Sequence, residues 1–188
     1  MPDIAPGHQC LILDACCLIN LYASGRLLEI LPSLGQVIVI AEYVQSEEAL
    51  RIRGNASDES TVVYEPIDLR PAIESGLLSV VSLETEVEEQ RAVDYIGALL
   101  DTGEAITGAI AISRLWAIAT DDRKATSFFA RVAPQLQLVT TPEMIKHWCD
   151  SSAPAPDDVR RAIRDIRVRA RYVPRRQHPL RAWWDRYA

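Results

Sequence analysis

Residues 9–25 read "QCLILDACCLINLYASG". Cys10 to Leu13 is a short apolar run ending in a carboxylate, Asp14. A second apolar run starts at Cys16 and continues to Tyr22. The first run is strand-length and the second is long enough for two helical turns. A strand feeding directly into a helix is the opening of an α/β unit. Asp14 then occupies the strand-to-helix turn.

The pattern repeats along the chain. "VIVI", Val37 to Ile40, is continuous and β-branched, as expected of a strand buried on both faces. Cys17 to Ala23 and Arg26 to Leu31 read as helices broken at Gly25, and Ala41 to Leu50 as another. Residues 53–60, "RGNASDES", are polar and turn-rich, which predicts a flexible loop. Thr61 to Tyr64 and Leu78 to Ser82 read as short strands around a small helix near Pro71. Glu84 to Leu100 is predicted to be amphipathic, with Val87, Val93, Ile96, Leu99 and Leu100 on its apolar side. Gly103 to Leu115 is nearly apolar and reads as a buried helix. Trp116 to Thr120 and Leu136 to Val139 are further strands, with a helix from Ala125 to Val132 between them. Thr141 is the expected cap of a helix that has Pro142 at its first position and runs to about Cys149. Such alternation predicts parallel strands with right-handed crossovers.

The chain has 188 residues, 48 % of them hydrophobic, enough for one domain with a substantial core. No run approaches the ~18 apolar residues of a membrane-spanning helix, and "MPDIAPGHQC" has no basic stretch leading into an apolar one. The expectation is a cytoplasmic protein with no membrane partner. The four cysteines, Cys10, Cys16, Cys17 and Cys149, lack C-x-x-C spacing and read as small hydrophobes. Residues 157–188 contain ten Arg and four Asp, a local charge of +6, which leaves −12 on residues 1–156 within a total of −6. An acidic body with a basic tail points to a divalent cation, a polyanion or both, or simply to a helix with solvated arginines. By composition, residues 8–149 form the body, 150–158 a linker ("SSAPAPDD" lies within it) and 159–188 a basic helical extension.

In parallel α/β sheets, sites form beyond the carboxyl ends of the strands at the point where strand order reverses. Asp14 follows the first strand, and Asp121 and Asp122 follow the Trp116 strand. Glu47 and Glu48 follow the second strand, and Glu104 opens the apolar helix. Each also has a structural explanation. Asp101 to Glu104 fits a capping box, Asp121 or Asp122 fits a helix cap, and Glu47 fits a solvated face. Together, carboxylates this close would repel unless a cation lay among them. Hard oxygen ligands suit Mg²⁺ or Mn²⁺. His8, His147 and His178 are isolated.

"LILDACCLINLYASGRLLEILPSLGQVIVIAEYVQSEEAL", "LLDTGEAITGAIA" and "AIATDDRKA" together resemble the PIN domain family, over roughly residues 8–149. The resemblance implies an α/β/α three-layer sandwich around a parallel sheet, with the basic helical extension outside the common domain. It also implies a Mg²⁺- or Mn²⁺-dependent endoribonuclease, toxin-like, with RNA as substrate, a cognate antitoxin and a homodimer as partners. Carried over by position, the catalytic set is Asp14, Glu47 (with Glu48 and Glu42 as alternates), Glu104, Asp121 and Asp122. Asp14, Glu104 and Asp122 are the metal ligands, and Asp121 is a helper. Arg160, Arg161, Arg164 and Arg167 are the candidate contacts to the RNA backbone, with Trp183 and Trp184 as candidate stacking platforms. One departure is Cys16, where the family carries Ser, Thr or Asn, with Asn20 as a candidate substitute. That departure favours the alternative of a degenerate, non-catalytic PIN-type binding module. An aspartyl phosphatase would need a second Asp where Cys16 stands.

Overall fold

The computed structural model describes residues 9–54 and 63–188. The core is a five-stranded, wholly parallel sheet. In chain order its strands are β1 (Cys10–Leu13), β2 (Val37–Ala41), β5 (Ser79–Val81), β6 (Ala117–Ala119) and β7 (Leu138–Val139), arranged β5-β2-β1-β6-β7. Leu11, Ile12 and Leu13 pair on one side with Ile38, Val39 and Ile40, and on the other with Ala117, Ile118 and Ala119. All nine of these residues are buried, as expected of strands covered on both faces. Strand order reverses between β1 and β6, so Asp14 and the Asp121–Asp122 pair leave the sheet side by side. The N–H of Asp14 extends the ladder by donating to the carbonyl of Ala119 at 3.0 Å.

Outside this sheet, β3 (Arg51–Arg53) and β4 (Tyr64–Pro66) form an antiparallel pair. Part of the polar loop expected over residues 53–60, and the start of the strand expected from Thr61, lie outside the described residues. The small helix near Pro71 is α3 (Arg70–Glu74).

Helices α1 (Ala15–Ala23), α2 (Leu27–Ser33), α7 (Thr141–Ser152) and α8 (Pro156–Arg169) contact one another. Helix α4 (Glu86–Gly97) packs on α5 (Thr102–Arg114), and α5 lies against β1, β2 and β6. This α/β arrangement is consistent with a three-layer sandwich. Helix α6 (Arg123–Val132) meets α5 where Phe129 crosses Gly108. A Cβ at Gly108 would stand 2.2 Å from Phe129 Cε1, and Phe129 is itself held edge-on by Phe128 and Tyr95. Gly108→Ala is therefore expected to destabilise by about 1–3 kcal/mol despite the better helix former. Thermal melts check this, and adding Phe129→Leu should recover part of the loss.

The structure departs from the sequence expectation in several elements. The helix expected over Ala41 to Leu50 is shorter and differently wound: β2 runs through Ala41, Glu42 and Tyr43 are α-helical, and Val44–Glu48 forms a π-helical turn closed by the Ala49 N–H to the Val44 carbonyl at 2.8 Å. The apolar side expected for α4 is not the buried one. Val87, Val93, Ile96 and Leu99 are exposed, whereas Glu88 and Ala92 are buried. Glu88 on the buried face is 2 % exposed and receives Arg114 Nε at 2.7 Å and Nη2 at 3.0 Å, so its buried charge is paired across the contact with α5. Finally, Thr140, not Thr141, caps α7, with Glu143 Oε2 accepting from its N–H at 2.8 Å. Thr141 becomes the first helical residue and Pro142 the second.

Helices α7 and α8 are joined by residues 153–155 alone. Val159, Ala162, Ile163 and Ile166 recur at helical spacing on α8 and are buried in the same core as the sheet. Trp184, in α9 (Arg181–Trp184), is fully buried there too. No helix among the described residues is long and apolar enough to cross a membrane.

Candidate functional site

The switch point between β1 and β6 carries the acidic residues. Asp14 caps α1 and is only 4 % exposed. Its Oδ1 accepts from the Ala15 N–H at 2.8 Å; its Oδ2 accepts from Thr120 Oγ1 at 2.9 Å and Cys16 Sγ at 3.3 Å. Burial pushes the Asp14 carboxyl up; those three donors oppose the shift and the nearby Asp101 charge adds to it. Thr120 Oγ1 also accepts from the Asp122 N–H at 3.2 Å, so one hydroxyl links the ends of the two strands.

Glu104 lies across from Asp14 in the first turn of α5. The expected capping box forms, with Asp101 Oδ1 accepting from the Glu104 N–H at 2.8 Å and Glu104 Oε2 from the Asp101 N–H at 3.2 Å. Capping does not neutralise the charge. Burial, then the charges of Asp101, Asp122 and Asp14, push the Glu104 carboxyl up to about 7. Glu48 behaves alike: burial, then Asp101 and Asp14, push it up to about 7, although it accepts from the Gly103 N–H. Asp122 caps α6, its Oδ1 accepting from the N–H groups of Lys124 at 2.6 Å and Ala125 at 2.9 Å.

Asp14, Glu48, Asp101, Glu104 and Asp122 therefore share one electrostatic neighbourhood. Two members differ from the sequence assignment. Glu48 takes the place assigned to Glu47, which is exposed. The π-helical turn holds one residue more per turn than an α-helix, and this rotates the acidic pair. Asp101 was read only as a cap, yet its charge acts on Asp14, Glu48 and Glu104.

Asp121 belongs to a different network. Its Oδ1 accepts from the Thr141 N–H at 3.1 Å and Tyr172 Oη at 2.8 Å. Its Oδ2 accepts from Asn20 Nδ2 at 3.0 Å, Thr141 Oγ1 at 2.5 Å and Cys17 Sγ at 3.4 Å. Asn20 is thus spent on Asp121 and Thr141 and does not substitute for a hydroxyl at position 16. Among the described residues, one group brings three possible metal-ligand atoms within 4.8 Å of one another: Cys16, Cys17 and Asp121. The carboxylates around Asp14 stand farther apart.

The tail arginines lie on the exposed side of α8. Arg160 pairs with Asp157 at 2.6 Å, Arg161 with Asp158 at 2.6 Å and Arg164 with Asp165 at 3.2 Å, while Arg167 is exposed. Arg175 lies beside the Asp121 network, its Nη2 3.5 Å from the Asp121 main-chain carbonyl. Trp184 is buried beneath Tyr172, edge to face at 6.0 Å, and has no open face for a base. Trp183 is half-buried beside Tyr187.

Gly103 gives a direct test of Glu48. A Cβ there would stand 2.1 Å from Glu48 Oε2, the end of a flexible side chain. Gly103→Ala should expel the carboxylate without harming α5, which gains about 0.5–1 kcal/mol from the better helix former. The expected result is an unchanged or slightly higher melting temperature with about tenfold weaker Mn²⁺ binding by calorimetric titration.

The donor chemistry fits a hard divalent cation. All five side chains offer oxygen, and two, Glu48 and Glu104, are pushed up to about 7 by burial first and by neighbouring acids second. No protein-family model matches the chain, and no curated protein matches it.

Proposed function

We propose that the chain is a PIN-type, metal-dependent endoribonuclease. The observation that carries this reading is the carboxylate neighbourhood at the switch point, with Glu48 and Glu104 both pushed up to about 7 by burial and neighbouring acids. Such an arrangement is costly for the apo fold and gains its rationale from a bound cation.

Asp14, Glu104 and Asp122 would hold the ion, with Glu48 and Asp101 completing the charge around it. Bound there, Mg²⁺ or Mn²⁺ supplies a Lewis acid for a phosphoryl oxygen and makes a water a better nucleophile near neutral pH. The chain's own residues do the rest. Thr120 orients Asp14 Oδ2 and the Asp122 backbone together. The Asp101–Glu104 capping box aims Glu104 from a rigid helix end. Glu48, which is not one of those three ligands, would be the carboxylate left to accept the proton of an attacking water. Lys124, next to the Asp122 cap, and Arg175 would be the cations nearest a bound phosphate backbone. Arg160, Arg161, Arg164 and Arg167 would extend that contact only along the outer face of α8. A toxin role, a cognate antitoxin, a homodimer and a cytoplasmic location rest on the sequence reading alone.

A non-catalytic PIN-type binding module is the second reading. Cys16 favours it, because a thiol is a poor support for a hard-cation site.

The test is cleavage of a 5′-labelled single-stranded RNA pool with Mn²⁺, with Mg²⁺ and with EDTA, beside Asp14→Asn. The expected result is metal-dependent cleavage that leaves 5′-phosphate ends and disappears in Asp14→Asn. No cleavage together with no Mn²⁺ binding would overturn the catalytic reading. Binding of Mn²⁺ and RNA without cleavage would favour the binding module.

A further inference from the structure

Cys17 lies in the hydrophobic core and Cys16 packs against it, as expected of small hydrophobes, yet both sulfurs also have polar neighbours. Cys16 Sγ donates to Asp14 at 3.3 Å and accepts from the Asp121 N–H at 3.3 Å. Cys17 Sγ donates to Asp121 Oδ2 at 3.4 Å and accepts from Thr141 Oγ1 at 3.6 Å. Both sulfurs face Asp121, from adjacent positions in the first turn of a nine-residue helix.

We propose that Cys16, Cys17 and Asp121 form a second metal site, for a soft divalent ion such as Zn²⁺, beside and distinct from the oxygen-lined site. Three arguments carry it. The ligand atoms converge from two elements, all within 4.8 Å of one another, and would draw together by about 1 Å at most around a Zn²⁺ ion. Two thiolates and one carboxylate select for Zn²⁺ or Cd²⁺ over Mg²⁺. Asp121 is also buttressed as metal-binding carboxylates are, by Asn20, Thr141 and Tyr172, which fix its orientation from outside the ligand shell. A water would complete the shell.

Binding is a proton exchange. Each thiol loses its proton to solvent as its sulfur–metal bond forms, so about two protons leave per ion. No oxidant or reductant takes part. Tyr172, from the segment after α8, touches Asp121 but not the ion, and is a positioning residue.

The test is independent of RNA cleavage. Full-length protein carrying Cys10→Ser and Cys149→Ser, to remove the other thiols, is titrated with Cd²⁺ while thiolate-to-cadmium charge-transfer absorption is followed. The expected result is a band saturating at about one ion per chain, with about two protons released, displaced by Zn²⁺ but not by excess Mg²⁺. Cys16→Ser, a half-buried and near-isosteric change, should weaken Cd²⁺ binding by about 100-fold or more, and Tyr172→Phe by about tenfold. Circular dichroism verifies that each variant is folded. No band in the folded parent protein, a band unchanged by Cys16→Ser, or displacement by Mg²⁺ would overturn the proposal. If Cys16→Ser fails to fold, the parent titration and Tyr172→Phe decide. The nuclease reading can fail with this site intact, and the reverse also holds.

Discussion

Glu104→Gln is expected to melt above the parent protein in EDTA at pH 8, while losing metal-dependent cleavage by about 100-fold or more. In the folded chain the Glu104 carboxyl sits near 7, raised from the ordinary 4.5. Between those values the folded state holds a proton that the unfolded state has released. This contribution to stability is complete below about pH 4.5 and is lost as pH rises through 7. Glu48 acts with the same sign over the same window. At pH 8 both are ionised beside Asp14 and Asp101, and the apo protein carries the full repulsion. Gln removes one charge yet keeps an oxygen that can accept from the Asp101 N–H, so the capping box survives. A rise of roughly 2–4 °C corresponds to each kcal/mol relieved in a domain of this size. Mn²⁺ should stabilise the parent protein strongly at pH 8 and weakly at pH 5.5, because protons compete for the same carboxylates. In Glu104→Gln the Mn²⁺ effect should largely vanish. Scanning calorimetry at the two pH values, with and without Mn²⁺, checks all of this. A Glu104→Gln protein that melts lower in EDTA, or responds to Mn²⁺ as the parent does, would remove Glu104 from the cation site.

Arg114→Ala is expected to cost about 3–5 kcal/mol, the usual penalty for stranding one partner of a buried ion pair. Arg114 makes two short bonds to Glu88, reaches the Ser82 carbonyl at 2.8 Å, and stacks over Trp116 at 5.0 Å. Its loss would leave Glu88 buried and charged at the α4–α5 contact. Arg114 lies at the far end of α5 from Glu104, so the metal affinity of the remaining folded protein should be unchanged. Arg114 chiefly holds the Glu88 carboxyl below its ordinary value. That contribution to stability is therefore present above about pH 4.5 and is lost as pH falls through the lowered value. Urea unfolding at pH 7 and pH 4 separates the two variants. Arg114→Ala should narrow the parent's acid sensitivity, and Glu104→Gln should alter its behaviour only above pH 4.5.

These variants also mark where sequence reasoning reaches its limit. Asp14, Glu104 and Asp122 each stand where the sequence draws attention: an Asp closing an apolar strand, a D-x-x-E capping box, and a Thr-x-Asp that the PIN resemblance singles out. Their roles as caps are also local, and the structure shows those caps formed. Glu48 was an alternate to Glu47, because a π-helical turn has no signature in residue spacing. Asp101 was read as a cap alone, since its effect on Asp14 and Glu48 acts through space. The α4 face was assigned from its apolar residues, whereas the buried face carries the bidentate ion pair to Arg114. Thr120, Tyr172 and Arg175 gain their significance only from where the chain returns.

Strand–helix alternation, the parallel sheet and the carboxylates at strand ends were determined by the sequence itself. They follow from hydrophobic periodicity and capping, which act over a few residues. The tertiary structure alone decided that Glu48 rather than Glu47 faces Asp14, that Asp121 turns to Asn20, Thr141 and Tyr172, and that the basic C-terminal helix buries Val159, Ile163 and Ile166 in the common core. Those outcomes depend on contacts between residues many tens of positions apart. There, packing and charge balance choose among faces that local propensity leaves equivalent.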